Sequence, residues 1–156
     1  MGSVRVGLAA SDPAGVLASP VATLARDPEG SSDLDAIGAY VRETHALEVI
    51  VGLPRALSGQ EGQAAGTARS YARELAGRLA PVRVRMVDER LTSVDAHRRL
   101  RQSGVSGRSG RAVVDQAAAV LILQSALDAE RATGRPPGEL VRVGRPGRRA
   151  RPADGG

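Results

Sequence analysis

The stretch Val82-Arg83-Val84-Arg85-Met86-Val87-Asp88-Glu89-Arg90-Leu91-Thr92-Ser93 constrains this chain more than any other. Val82, Val84 and Met86 alternate with Arg83 and Arg85, the period-2 pattern of a strand packed on at least one face. The run stops on Asp88, Glu89 and Arg90. Thr92, with Asp95 three residues on, predicts a capped helix start and a helix to about Gln102. Two carboxylates therefore stand where a strand's carboxyl end turns into a helix, the rim at which open α/β sheets bind ligands. A solvated surface turn would use the same residues, so the rest of the chain has to decide.

Upstream, Val4, Val6 and Leu8 alternate with Arg5 and Gly7, and the run ends at Ser11-Asp12-Pro13 with Gly15. Val16 to Leu24 reads as a second strand, so the two form a hairpin in which Pro20 needs an edge or a bulge. Ser31-Ser32 is expected to cap a helix over about 33–45, with Leu34, Ile37, Val41 and His45 on one face. Glu48-Val49-Ile50-Val51-Gly52-Leu53-Pro54 is a short apolar run between breakers, the mark of a buried parallel strand. Ser58-Gly59-Gln60-Glu61-Gly62 follows it, but the Lys-Ser/Thr that completes a phosphate loop is missing. A helix is predicted from Gln63 to Leu79, with Ala68, Tyr71, Ala72, Leu75 and Leu79 as its apolar stripe.

Downstream of the acidic turn, Ser103 to Gly110 reads as a loop. Arg111 to Asp128 reads as a helix that is apolar all round between Ala117 and Leu123, hence buried on most sides. Asp115 is expected in its first turn or so, favoured there by the helix dipole or serving a site. His45 and His97 have no Cys or His at ligand spacing and are read as ordinary helix residues.

Composition narrows the function. A length of 156 residues suits one domain with a real core. The absence of cysteine excludes a disulfide framework and a thiolate zinc site. Phe and Trp are absent and only Tyr40 and Tyr71 are aromatic, which argues against single-strand binding by base stacking. No stretch has the apolar length to span a bilayer, and no signal-peptide pattern is present, so a soluble cytoplasmic protein is expected without a membrane partner. All 22 basic residues are arginine. Residues 1–130 balance 15 Arg against 15 acidic residues, whereas 131–156 hold 7 Arg against Glu139 and Asp154, so the whole excess charge lies at the end. The expected organisation is a domain over 1–133 and a disordered Arg/Pro/Gly-rich tail over 134–156. Such an arm adds non-specific affinity for phosphate backbones or serves only solubility.

The order is thus hairpin, helix, strand, helix, strand, helices, an α/β pattern with Asp88, Glu89 and Asp115 as its carboxylate groups. Converging carboxylates without His or Cys make an oxygen-only site suited to Mg2+ or Mn2+. Two such ions beside a phosphodiester activate water and stabilise the leaving oxygen.

Five stretches, in order, resemble the YqgF/RuvX family of Holliday-junction-resolvase-like proteins, also described as pre-16S rRNA nucleases. They are Gly2 to Asp12, Val16-Leu17-Ala18-Ser19-Pro20, Val49 to Pro54 with Ser58-Gly59, Asp88-Glu89-Arg90-Leu91-Thr92-Ser93, and Asp115 to Gln124. The resemblance implies an RNase H-like fold, a mixed sheet flanked by helices. It also implies a metal-dependent nuclease (a hydrolase) acting on structured nucleic acid in ribosome biogenesis, in 16S rRNA 5'-end processing. Carried over by position, Glu89 and Asp115 are catalytic, metal-binding carboxylates, with Asp88 as a third metal ligand. Arg5 and Arg90 are expected to meet phosphates, or else to pair with the same carboxylates. The implied partners are pre-16S rRNA or branched DNA, and the implied state is a monomer or homodimer.

One departure matters. The family pattern opens with Gly-x-Asp-x-Gly, and here Met1 stands just after that Asp and Gly2 is the second glycine. The first strand and its carboxylate are therefore expected upstream of Met1, and the strand is expected to lie between Val4–Ala10 and Glu48–Gly52. Without it, the 156-residue form is expected to be unstable and inactive. The alternatives are a non-catalytic nucleic-acid-binding ribosome-assembly factor and a DNA junction resolvase. An ATPase of the actin-like or sugar-kinase-like kind would need two such domains.

Overall fold

In the computed structural model, which describes residues 5–56, 58–91 and 107–143, the strands sort into two ladders. Strands β1 (Arg5–Ser11) and β2 (Ala18–Ala25) form the antiparallel hairpin. Its turn is closed by Asp12, whose Oδ1 accepts the amides of Val16 at 2.7 Å and Leu17 at 3.0 Å. Leu8 pairs with Ala22 but Ala9 pairs with Pro20, so Val21 is an extra residue. Pro20 thus stands beside a bulge, where its missing N–H is tolerated.

The second ladder is a βαβ unit with an added edge. Helix α1 (Ser32–Thr44) leads into β3 (Glu48–Leu53), and α2 (Gln63–Leu79) crosses over to β4 (Arg83–Asp88). β3 and β4 are parallel, in register from Glu48 opposite Arg83 to Leu53 opposite Asp88. The stripe read from α2 is buried throughout, and Leu34, Ile37 and Val41 of α1 join it. Val84 and Met86 point into this same core, whereas Val87 faces the opposite side, as period-2 alternation requires. On that side lies the long helix α3 (Gly107–Thr133), with Ala118, Ile122 and Ala126 buried against Val87.

One polar group is built into the larger core. Asp33 is buried and accepts the Tyr71 hydroxyl at 2.7 Å. Arg26 lies 3.6 Å from that carboxylate and 4.7 Å from the centre of the Tyr71 ring. Burial, and then the bond to Asp33, push the Tyr71 phenol above its ordinary range.

Several expectations are corrected. Ser31 takes a left-handed backbone with φ 61° and makes no side-chain cap bond. Asp27 does the work instead, accepting the amides of Gly30 and Ser32, each at 3.0 Å. The expected loop over Ser103–Gly110 is helical from Gly107, because no proline interrupts the propagating helix. Asp115 consequently lies in the third turn of α3, beyond reach of the terminal dipole. The expected disordered tail does not hold over 134–143. Glu139 and Leu140 form β5, antiparallel to β4, and the Val141 amide bonds the Val84 carbonyl at 2.8 Å. An open strand edge and the Arg69–Glu139 ion pair, at 2.8 Å, supply the reason. The remaining tail, the capped helix start at Thr92 and His97 lie outside the described residues.

Among the described residues the strands do not join into one sheet. β1 pairs only with β2, and β3 pairs only with β4, among the described residues. Between β1 and β3 lies a cavity of about 1350 Å³, lined by every residue from Arg5 to Asp12 and from Glu48 to Gly52. This is the place at which the additional strand is expected. Ala119, Leu123 and Leu127 of α3 also line the cavity and stay half-buried.

Candidate functional site

Successive side chains of a strand point to opposite faces, and at the end of β4 this separates two adjacent carboxylates. Glu89 opens a single 3₁₀ turn (Glu89–Leu91) and is 1% exposed. Its side chain lies over Gly52 of β3: a Cβ at residue 52 would stand 2.5 Å from Glu89 Oε2 and 2.6 Å from Ile122 Cδ1. Only glycine leaves room there for the carboxylate and the helix together. A solvated turn residue would not be so enclosed.

Asp88 points the other way, into arginine. Its Oδ1 accepts the Arg90 amide at 2.9 Å, and its Oδ2 accepts Arg90 Nη2 at 2.6 Å and Nε at 3.0 Å. Arg55, on the loop after β3, adds its Nη1 at 3.7 Å. The Arg90 bond above all holds the Asp88 carboxyl below the usual range, against a smaller opposing effect of burial. Charges then alternate outward. Arg55 meets Glu61 at 3.0 Å, and Arg69 meets both Glu61 at 2.7 Å and Glu139 at 2.8 Å. The Arg69 bonds hold Glu61 at about 2 and lift the guanidinium above its own ordinary value.

Asp115 is seated by a second glycine. A Cβ at Gly7 would overlap the Asp115 carbonyl oxygen, so the backbone of α3 lies directly on β1 at this point. The Asp115 side chain, 12% exposed, accepts Arg5 Nε at 2.7 Å.

Glu89 and Asp115 are both on the α3 side of the strands: Asp115 lies against β1 and lines the cavity, and Glu89 lies over Gly52 of β3. Ile122, which packs over the same Gly52 position, is seven residues beyond Asp115, or about 10 Å along the helix axis. Asp88 is turned away from this pair. Arg5 and Arg90 are both in ion pairs, with Asp115 and Asp88 respectively. Among the described residues no three His, Cys, Asp or Glu are grouped to hold a metal ion. The donor chemistry, all carboxylate, suits Mg2+ or Mn2+, and it is Glu89 and Asp115 that the fold turns to one side. His45 is exposed at the end of α1.

Sequence reasoning missed Arg55 and the seating roles of Gly7 and Gly52. An isolated glycine within a strand pattern is a known sign of close approach, and both glycines carry that sign. For Arg55 nothing in the local pattern pointed to Asp88.

The RuvX family profile, described as Holliday junction resolvase, matches residues 1–129. A protein of Frankia casuarinae named "Putative pre-16S rRNA nuclease" is 55% identical over 161 residues, covering 96% of this chain and 80% of its own. Proteins of the same name from Nocardioides sp. and Thermobifida fusca are each 56% identical, covering 90% of this chain and 91% of their own. With the α/β architecture and the positions of Glu89 and Asp115 already in view, these matches settle the kinship: the chain belongs to the RuvX family and has its RNase H-like fold.

Proposed function

We propose that this chain is a metal-dependent nuclease that hydrolyses phosphodiester bonds in structured RNA, with pre-16S rRNA as substrate. The observation that carries the reading is the seating of Glu89 and Asp115, each on a glycine, on the same side of the strands. Their relatives' names supply the substrate. Glu89 and Asp115 would hold Mg2+ or Mn2+, and Asp88 would join only by giving up part of its pairing with Arg90. The bound ion supplies an activated water and positive charge for the leaving oxygen. Arg5 holds the Asp115 carboxylate in place through its Nε bond at 2.7 Å. Arg5 and Arg90 lie close to the carboxylates, and a phosphate arriving there would compete for their guanidinium forks. No helix among the described residues is long and apolar enough to cross a membrane. A cytoplasmic monomer or homodimer accords with this role.

A second reading has one observation in its favour. Because no group of three ligands is present among the described residues, a nucleic-acid-binding assembly factor without cleavage would use the same surface. The test is cleavage of an RNA carrying the 16S 5' leader, beside a four-way DNA junction, with Mn2+. RNA cleavage that falls by at least about 100-fold in Glu89→Gln, with melting little changed, supports the nuclease. Binding without cleavage supports the assembly factor, and preferential cutting of the junction moves the substrate to DNA.

A further inference from the structure

At the carboxyl ends of β3 and β4 one arginine is less well paired than its neighbours. Leu53 and Asp88 stand opposite each other there, and Arg55 follows on the loop after β3. Its Nη2 lies 3.0 Å from Glu61 Oε2, and its Nη1 lies 3.7 Å from Asp88 Oδ2. Each of those carboxylates has a better-placed guanidinium. Arg90 reaches Asp88 Oδ2 through Nη2 at 2.6 Å and Nε at 3.0 Å. Arg69 holds Glu61 through Nε and Nη2, each at 2.7 Å. Arg55 Nε, by contrast, is shielded from solvent and has no acceptor among the described residues. We propose that Arg55 is a phosphate-binding residue, which turns its Nε–Nη2 edge from Glu61 to a backbone phosphate of the nucleic acid. The inference rests on the nuclease reading for the phosphate that it binds.

The chemistry follows from donor capacity. A guanidinium carries N–H donors on all three nitrogens, and a buried N–H without an acceptor is costly, so a position that pairs Nε is favoured once an acceptor arrives. A phosphate offers two oxygens at the spacing of the Nε–Nη2 edge, the edge with which Arg69 holds Glu61. Departure of Arg55 leaves neither carboxylate uncompensated, because Arg69 stays on Glu61 and Arg90 stays on Asp88. The side chain is the part that moves. Pro54 fixes the backbone before it, and the loop after it is closed by the Ala56 amide on the Gln60 carbonyl at 2.9 Å and the Gly59 amide on the Ala56 carbonyl at 2.8 Å. With 27% of the Arg55 side chain exposed, the outer end of the guanidinium is open to a ligand from solvent.

The test measures binding of an RNA carrying the 16S 5' leader to the full 156-residue protein, against salt concentration, with EDTA present so that cleavage does not intrude. Arg55→Ala should weaken binding about tenfold, the loss of one charge-assisted contact. It should also lower the slope of log affinity against log salt by about one, with melting unchanged. Arg55→Lys keeps the charge but not the edge, and should restore the slope with only part of the affinity. Glu61→Gln releases the edge and should tighten binding, a gain that Arg55→Ala added to it should remove. Wild-type affinity and slope in Arg55→Ala overturn the inference, as does a gain in Glu61→Gln that survives Arg55→Ala and so belongs to Arg69. A lowered melting temperature with an unchanged slope, or no binding by the unsubstituted protein, overturns it too. Cleavage lost in Glu89→Gln can stand while Arg55 fails, and Arg55-dependent binding can stand in a protein that does not cut, so the two readings fail separately.

Discussion

The two sides of the β3–β4 ladder differ in how completely they are filled. On the α1–α2 side, Leu79 is 6% exposed and Ala65, Ala68 and Ala72 are fully buried, so helix and strand meet without intervening space there. On the α3 side the buried set shrinks to Val87, Ala118, Ile122 and Ala126, and the helix passes from β3 across a cavity to β1. The filled side holds the fold, and the open side holds both carboxylates. Small residues reach close packing only where an opposite wall exists, and a chain without Phe or Trp has no large side chain to bridge a gap.

Substitutions should break or sharpen that contrast. The largest effect is expected from Leu79→Ala, which leaves a cavity in the filled core, away from the open space, and should cost about 2–5 kcal/mol in denaturant unfolding. Ile122→Ala, next to the open space, should cost clearly less, since its surroundings already border a void. Equal costs would mean that the two sides are packed alike in solution.

Next comes Gly52→Ala. The added methyl meets Glu89 Oε2 and Ile122, and overpacking of this kind costs about 1–3 kcal/mol. Cleavage should suffer more than stability, because the substitution displaces the buried carboxylate itself. Retained activity with unchanged melting would show that Glu89 has another place to go.

Truncation separates the last described residues from the charged end. Removing 134–156 takes away β5 and the Glu139 partner of Arg69, and should lower the melting temperature by a few degrees. Removing only 144–156 should leave melting unchanged while flattening the salt dependence of nucleic-acid binding. If both truncations melt alike, β5 contributes nothing.

The smallest effect concerns acid. Glu61 ordinarily titrates near 4.5 and is held at about 2 by Arg69. A carboxylate with a depressed folded value contributes stability that is present above about pH 4.5 and is lost as pH falls toward 2. Arg69→Ala should therefore reduce the steepness of acid unfolding between those values and change little at pH 7. The group is solvent-exposed, so the change should be slight, and its absence would assign the ion pair no role in folding.

Much of this was legible in the sequence because it depends on local periodicity. The α2 stripe, the β3 run and the alternation in β4 each carry their own period, and Pro20 announced its bulge. The ends of elements were less legible. Ser31 looked like a cap until Asp27 took its place, and Asp115 looked N-terminal because nothing local marks Gly107 as helical. β5 was missed for a related reason: a two-residue strand has no period, and it exists only because β4 leaves an edge beside it.

The sequence by itself determined which residues alternate, which stretches break, and that the acidic groups come without histidine or cysteine partners. Those properties are set by neighbours in the chain. Tertiary structure alone decided that adjacent Asp88 and Glu89 part company, one into arginines and the other beneath α3. It also decided that Gly7 and Gly52, 45 positions apart, seat the two carboxylates on one side. The physical reason is excluded volume between elements distant in sequence: whether a Cβ fits depends on which backbone or side chain arrives opposite it, and no local pattern encodes that.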